Sequence, residues 1–341
     1  MASLTRFDQR DIVNDTAKLT TSTWTGNTNE LTAAHTSSTQ AIFGTPTSSG
    51  AHFIEVFDKN PQTDTTAEVQ YAVAYGHRGG SGSLDFTNAT NGFGLSPTRN
   101  IYSQYRQLVF GNETQDFNFT DYTPDDIYVI NINRARYKHN LKPGSLNLVL
   151  GTANSTRVHL TDDSISVSGS STITNAGRQF NIVSGSNGVR IGASNTPLAN
   201  TGSFGFFYPD SGFIVLNPLA LGVNSELTPV KASNTDSQNH LKFVNAISGG
   251  ASFIVDSEEK VSSTFYFARA RNFEYNYTTN PSFTDDNGNV LINSMIDNPT
   301  VYITTVGMYN DSGDLLAVAK LSQPITKDFT KEALIRIKLD Y

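Results

Sequence analysis

The sequence predicts a mainly β protein: antiparallel sandwich-like or barrel-like domains with one short helix and long loops. Three observations carry that expectation. Charged residues make up only 16% of the chain and hydrophobic ones 37%, while 11% are aromatic and much of the rest is Ser, Thr, Asn and Gly. Aromatics supply buried area in a fold of many short strands, and small polar residues supply its turns. Runs of β-branched and aromatic residues recur between Gly, Pro, Asn and Asp clusters, as strands bounded by turns do. Finally, Ala333, Ile335, Ile337, Leu339 and Tyr341 alternate with Arg336, Lys338 and Asp340. A two-residue period of this kind marks a strand with one dry face and one wet or partner-facing face.

Taken in order, residues 1–50 are polar, rich in Thr and Ser, and hold the only tryptophan, Trp24. They read as an extended arm clasping a neighbouring subunit through Trp24, or as a disordered leader. Residues 51–143 read as a β-rich domain with one helix. Ala51–Phe57 and Val69–Tyr75 have strand chemistry, with a turn at Pro61 between them. Gly76–Ser83, GHRGGSGS, reads as a flexible loop. It lacks the Lys-Ser/Thr of a Walker loop and the strand–GxGxxG–helix setting of a dinucleotide site. Thr98–Phe110 is the expected helix, with Ser96 to cap, Pro97 in the first turn, and Ile101, Tyr105, Leu108 and Val109 at helical spacing. Asp125–Asn133 returns to strand with Tyr128, Ile130 and Ile132 on one face. Arg134, Arg136 and Lys138 then follow at two-residue steps. On a continuing strand they would form a cationic stripe, either a dock for an acidic neighbour or a solvated face.

Residues 144–217 read as a β-rich middle or inserted domain. Its expected strands are Leu146–Leu150, Val158–Leu160, Ile165–Ser168, Arg178–Val183, Phe204–Tyr208 and Phe213–Leu216. Residues 218–341 read as a C-terminal β domain. Leu219–Asn245 looks loop-like, and strands resume at Ala251–Asp256 and Ser263–Arg271. Val301–Tyr309 and Leu315–Leu321 then flank the turn Asn310-Asp311-Ser312-Gly313, where Gly313 can take a positive φ. Pro324 is expected to end the second run, because it cannot donate to a ladder. This hairpin and the Ala333–Tyr341 strand are expected to share one sheet.

Composition narrows the function. A net charge of −7 argues against a phosphate-backbone binder. There is no cysteine, hence no disulfide framework or thiolate metal site. The first residues lack the apolar core of a signal peptide, and no run approaches the roughly 20 apolar residues that span a bilayer. The expectation is a soluble protein made in the cytosol. Gly-x-Ser-x-Gly and HExxH are absent, and the six histidines show no pair at ligand spacing. The doublets Asp125-Asp126, Asp162-Asp163, Glu258-Glu259 and Asp285-Asp286 point to opposite sides of a strand, so they do not face one bond as glycosidase carboxylates must. Asp285-Asp286-Asn287-Gly288-Asn289 fails the calcium-loop spacing, with Ser294 where the closing glutamate belongs. No catalytic, cofactor-binding or metal-binding residue is assigned.

The hairpin VYITTVGMYNDSGDLLAVAKLSQPITKD resembles that of tail-collar and fibre-type bacteriophage proteins. NRARYKHNLKPGSLNLVL, GFFYPDSGFIVLNP and FEYNYTTNPSF resemble segments of virion structural proteins from contractile-tailed phages. The resemblance implies a non-enzymatic particle component of tail or baseplate, assembled in the host cytoplasm with other virion proteins. Its implied partners are those proteins and further copies of the chain, without nucleic acid or membrane. Trp24, Arg134, Arg136, Lys138, Arg336 and Lys338 are the candidate assembly contacts. The alternative is a tail-fibre or adhesin-type protein gripping host-surface carbohydrate through aromatics such as Tyr275 and Tyr277. A secreted β-fold hydrolase would need a leader and convergent carboxylates, which the sequence does not offer.

Overall fold

The computed structural model describes residues 4–31, 35–36, 53–82, 96–120, 122–151, 157–166, 171–190, 203–222, 227–231, 237–250, 252–278 and 280–340. The fold is mainly β, with antiparallel sheets. Leu19–Glu259 forms one compact unit; Met1–Lys18 with Lys260–Tyr341 forms a second. The boundary falls inside the first long strand, β1 (Ile12–Ser22).

The larger unit continues with β2 (His35–Thr36), β3 (Phe53–Phe57), β4 (Val69–His77), α1 (Pro97–Phe110), β5 (Asp126–Ile132), β6 (Asn140–Leu141) and β7 (Asn147–Gly151). Then come β8 (Arg157–Asp162), β9 (Thr172–Thr174), β10 (Gly177–Ser186), β11 (Val189–Arg190), β12 (Gly205–Tyr208), β13 (Phe213–Leu216), α2 (Pro218–Gly222), α3 (Asn239–Gly250) and β14 (Ser252–Ile254). The main sheet runs β14-β7-β8-β10-β12-β13-β5-β4-β3-β2, with β9 and β11 attached to β10. In its middle, β5 is apolar on both faces because both are covered. Tyr128, Ile130 and Ile132 join a core that includes Phe243 and Val244 of α3. Ile127 and Val129 join a second core with Tyr102, Tyr105 and Val109 of α1.

Several expectations need correction here. The cationic stripe does not exist, because Arg134–Arg136 is a 3-10 turn whose Asn133 side chain accepts from the Ala135 N–H. α3 occupies part of the stretch read as loop; Phe243, Val244, Ala246 and Ile247 give it a buried face that its polar neighbours disguise. Ile165 and Ser166 lie in a turn after β8, while residues 167–168 fall outside the described set. GHRGGSGS is no loose loop over its described part. His77 Nδ1 accepts from the Gly79 and Ser81 N–H groups at 3.0 and 3.2 Å, and a Cβ at Gly80 would lie 2.6 Å from Ser96 Oγ. Ser96 stands at the helix N-cap, but its hydroxyl donates to the Gly80 carbonyl (2.7 Å) instead of capping. Burial depresses the His77 imidazole pKa, so burial opposes its charging.

The second unit takes in the end of β15 (Asp256–Ala270), then α4 (Ser294–Asp297), β16 (Val301–Tyr309), β17 (Leu315–Lys327) and β18 (Ala333–Asp340). Its first sheet has the order β1-β15-β18, and β16 with β17 makes a separate two-stranded sheet. The expected single sheet is therefore two layers. β18 is paired over its whole length with Ser263–Ala270, and its dry face needs cover from above, not another strand beside it. Met308 supplies that cover against Ile335 and Ile337, with Ile303, Val306, Ala319 and Leu321 around them. This is face-to-face sheet packing. The turn is as expected: Gly313 has φ +86° and its N–H donates to the Asn310 carbonyl at 3.1 Å. Pro324 does not end its strand. It sits where the ladder skips from Thr305↔Lys320 to Ile303↔Ile325, an irregularity that spares it from donating.

Candidate assembly surfaces

Among the six candidate contacts, Trp24 is overturned as a grip on a neighbour. It is 2% exposed, its Nε1–H donates to the Phe253 carbonyl at 3.0 Å, and its ring packs edge-on to Tyr71 and Phe253. The anchor holds its own chain. Arg136 pairs with Glu68 at 2.6 Å. The Thr25 hydroxyl and then Arg136 hold the Glu68 carboxyl below its usual range. Arg134 donates to the Tyr137 carbonyl at 2.6 Å and lies 4.7 Å over that ring. Lys138 is exposed. The three cations thus have separate settings and form no common face.

Arg336 and Lys338 do share a face. Register places Phe267 opposite Arg336 and Phe265 opposite Lys338, so both rings lie on the side of the sheet away from Ile335 and Ile337. The Arg336 guanidinium is 5.3 Å from the Phe265 ring centre. Lys338 pairs with Asp340 at 2.8 Å, both about half exposed; that pair and the Ser263 hydroxyl lower the Asp340 pKa. Leu334 and Arg269, opposite one another, extend the same face and are exposed. This is an aromatic and cationic sheet surface.

A second surface escaped the sequence reading. On the hairpin, the side turned away from Met308 carries Tyr302, Tyr309, Leu315, Leu316 and Val318, all exposed; Leu316 is 69%, Tyr302 64% and Val318 58% exposed. At its tip, the Asn310 side-chain oxygen accepts from the Asp314 N–H at 2.7 Å, and Asp311 pairs with Arg6 at 3.1 Å. That ion pair is almost fully exposed and contributes little. The signal was present in the run Leu315–Ala319, which is apolar at consecutive positions. In a sheet of two strands such a run can hide only one of its faces. β1 shows a related pattern, since its first nine residues are exposed on both faces, Ile12, Val13 and Leu19 included.

The larger unit offers a cleft of ≈ 420 Å³ between α1, β9, β10 and β12. Val109, Phe110 and Phe206 give it apolar walls, and Gln115, Asn118, Asn175 and Gln179 give it amides. Its one carboxylate, Asp116, is matched by Arg78 at 2.6 Å and Arg106 at 3.0 Å. Gln179 already accepts from the Tyr208 hydroxyl at 2.9 Å. Of the two aromatics considered for sugar binding, Tyr277 is exposed. Tyr275 is half-buried, with its hydroxyl 2.6 Å from Thr5 Oγ1. Among the described residues no helix is long and apolar enough to cross a membrane. No family model, curated protein or solved structure matches this chain.

Proposed function

We propose that the chain is a non-enzymatic structural component of a bacteriophage particle, belonging to its tail or baseplate. In this reading it is made and assembled in the host cytoplasm and acts through contacts with other virion proteins and with copies of itself. The observation that supports this most is the burial pattern of the second unit. Its compact apolar cluster has three well-buried members, Met308, Ile335 and Ile337, while the outer side of the covering hairpin exposes five large apolar side chains. Contiguous apolar surface rimmed by charge marks protein-interaction sites. The two-sided exposure of β1 fits an arm that gains its remaining burial from a neighbour. The segment resemblance names the kind of assembly.

Quantitative mass spectrometry of purified particles tests the reading. A fixed ratio of this chain to the other structural proteins is the expected result; a chain abundant in the lysate and missing from washed particles overturns it. The amide-lined cleft favours a second reading, a carbohydrate grip. Amides beside an aromatic wall suit a neutral sugar, and the two arginines near Asp116 are already committed to it. Glycan-array binding that disappears in Asn118→Ala would move the assignment to that reading.

A further inference from the structure

Resting on the assembly reading, we propose that the second unit's partner is another copy of this chain, joined head to tail. The hairpin end of one copy would seat on the Arg336/Lys338 sheet face of the next. Two surfaces of the same unit are matched in kind. The hairpin end presents Tyr309, Leu315 and Leu316 beside Asp311 and Asp314. The sheet face presents Phe265, Phe267 and Leu334 beside Arg269, Arg336 and Lys338. Each has an apolar centre; carboxylates outnumber Arg6 at the rim of one, and cations outnumber Asp340 at the rim of the other.

The charge balance supports a self-partner. The two segments of this unit carry eleven Lys and Arg against twelve Asp and Glu, a net of −1, while the whole chain carries −7. A near-neutral unit with a carboxylate excess at the hairpin end, after Arg6, and a cation excess on the sheet face, after Asp340, attracts a copy of itself without net repulsion. The contact is heterologous, because the acidic end cannot meet another acidic end, so closure makes a ring. The pairs now made by Asp311 and Lys338 are exposed ones that can be exchanged.

The experiment uses the full chain and light scattering behind size exclusion, with near-UV circular dichroism to confirm folding. The wild type should run at a multiple of 37.1 kDa. Its association should weaken as salt rises from about 0.15 M to about 1 M and the screening length falls from about 8 to about 3 Å. Arg336→Glu with Lys338→Glu should give single chains, and so should Asp311→Lys with Asp314→Lys. Combining all four substitutions restores opposite charges across the contact and should restore the assembly. A wild type of 37.1 kDa at every concentration overturns the proposal. So does a folded charge-reversed pair that stays assembled, or a folded quadruple variant that stays a single chain. None of these outcomes depends on whether the chain is found in a particle, so the two claims fail separately.

Discussion

Ile337→Ala probes the packing that holds the second unit together. Ile337 is 6% exposed and belongs to the cluster with Met308 and Ile335. Truncation removes three carbons, and at about 0.8 kcal/mol each the transfer loss is about 2.4 kcal/mol. A residual cavity adds to this, within a range of about 2–5 kcal/mol for such changes. The lid over Ile337 is a two-stranded hairpin with an open outer face, free to settle, so the cost should fall near about 3 kcal/mol. Urea denaturation of the full chain gives the value, at concentrations where single chains dominate so that association does not enter. On the opposite face of β18, Arg336→Ala and Lys338→Ala should each stay within about 0.5 kcal/mol. Ile337→Asp should leave the unit unfolded, since an unpaired buried carboxylate costs several kcal/mol more. If either charged-face variant loses more stability than Ile337→Ala, the face assignment is wrong and the two-layer account falls with it.

Trp24→Ala should cost about 3–5 kcal/mol in the isolated chain, because the indole fills the chain's own core; a change below about 0.5 kcal/mol would return Trp24 to the role of a partner contact. Trypsin should cut the free chain at Arg10, which is exposed, and cut the assembled form more slowly; equal rates would sink the arm reading. Asp256 has an Oδ1 without a partner, and burial raises its carboxyl pKa above 3.8 against the opposing pull of Lys142. Its ionised form is therefore penalised in the fold at neutral pH, and that penalty lifts as pH falls through the raised pKa. Asp256→Asn should stabilise the chain at pH 7 and lose its advantage as pH is lowered towards 4; an advantage that grows on acidification would reverse the assignment.

The strands were legible wherever one chemical face repeats. Ala333–Asp340 and Phe213–Leu216 are where alternation and bounding turns put them, and α1 starts at Pro97 and ends before Gly111 as its punctuation implies. Its buried side is rotated, with Tyr102 in the core and Leu108 out, because the aromatic sheet beneath selects the larger rings. α3 was illegible because its apolar face is split by Lys242, Asn245 and the polar residues ahead of it. The shared exposed face of Arg336 and Lys338 was readable from period alone. Trp24 was not, since a lone indole in polar sequence fits a distant core as well as a partner. Layering also lies beyond local sequence: the same alternation suits a strand beside the hairpin or beneath it, and only the pairing of β18 with β15 separates the two.

In the proposed role as an assembled particle component, neighbours cover the second unit. Hydroxyl-radical footprinting of the chain in purified particles, set beside the free chain, tests it most directly. Strong protection in the particle is expected at Tyr302, Tyr309, Leu315, Leu316 and Phe265, with unchanged labelling of Phe110 in the cleft of the larger unit. Equal labelling of the hairpin in both states, or particles that yield no peptide of this chain, would contradict it.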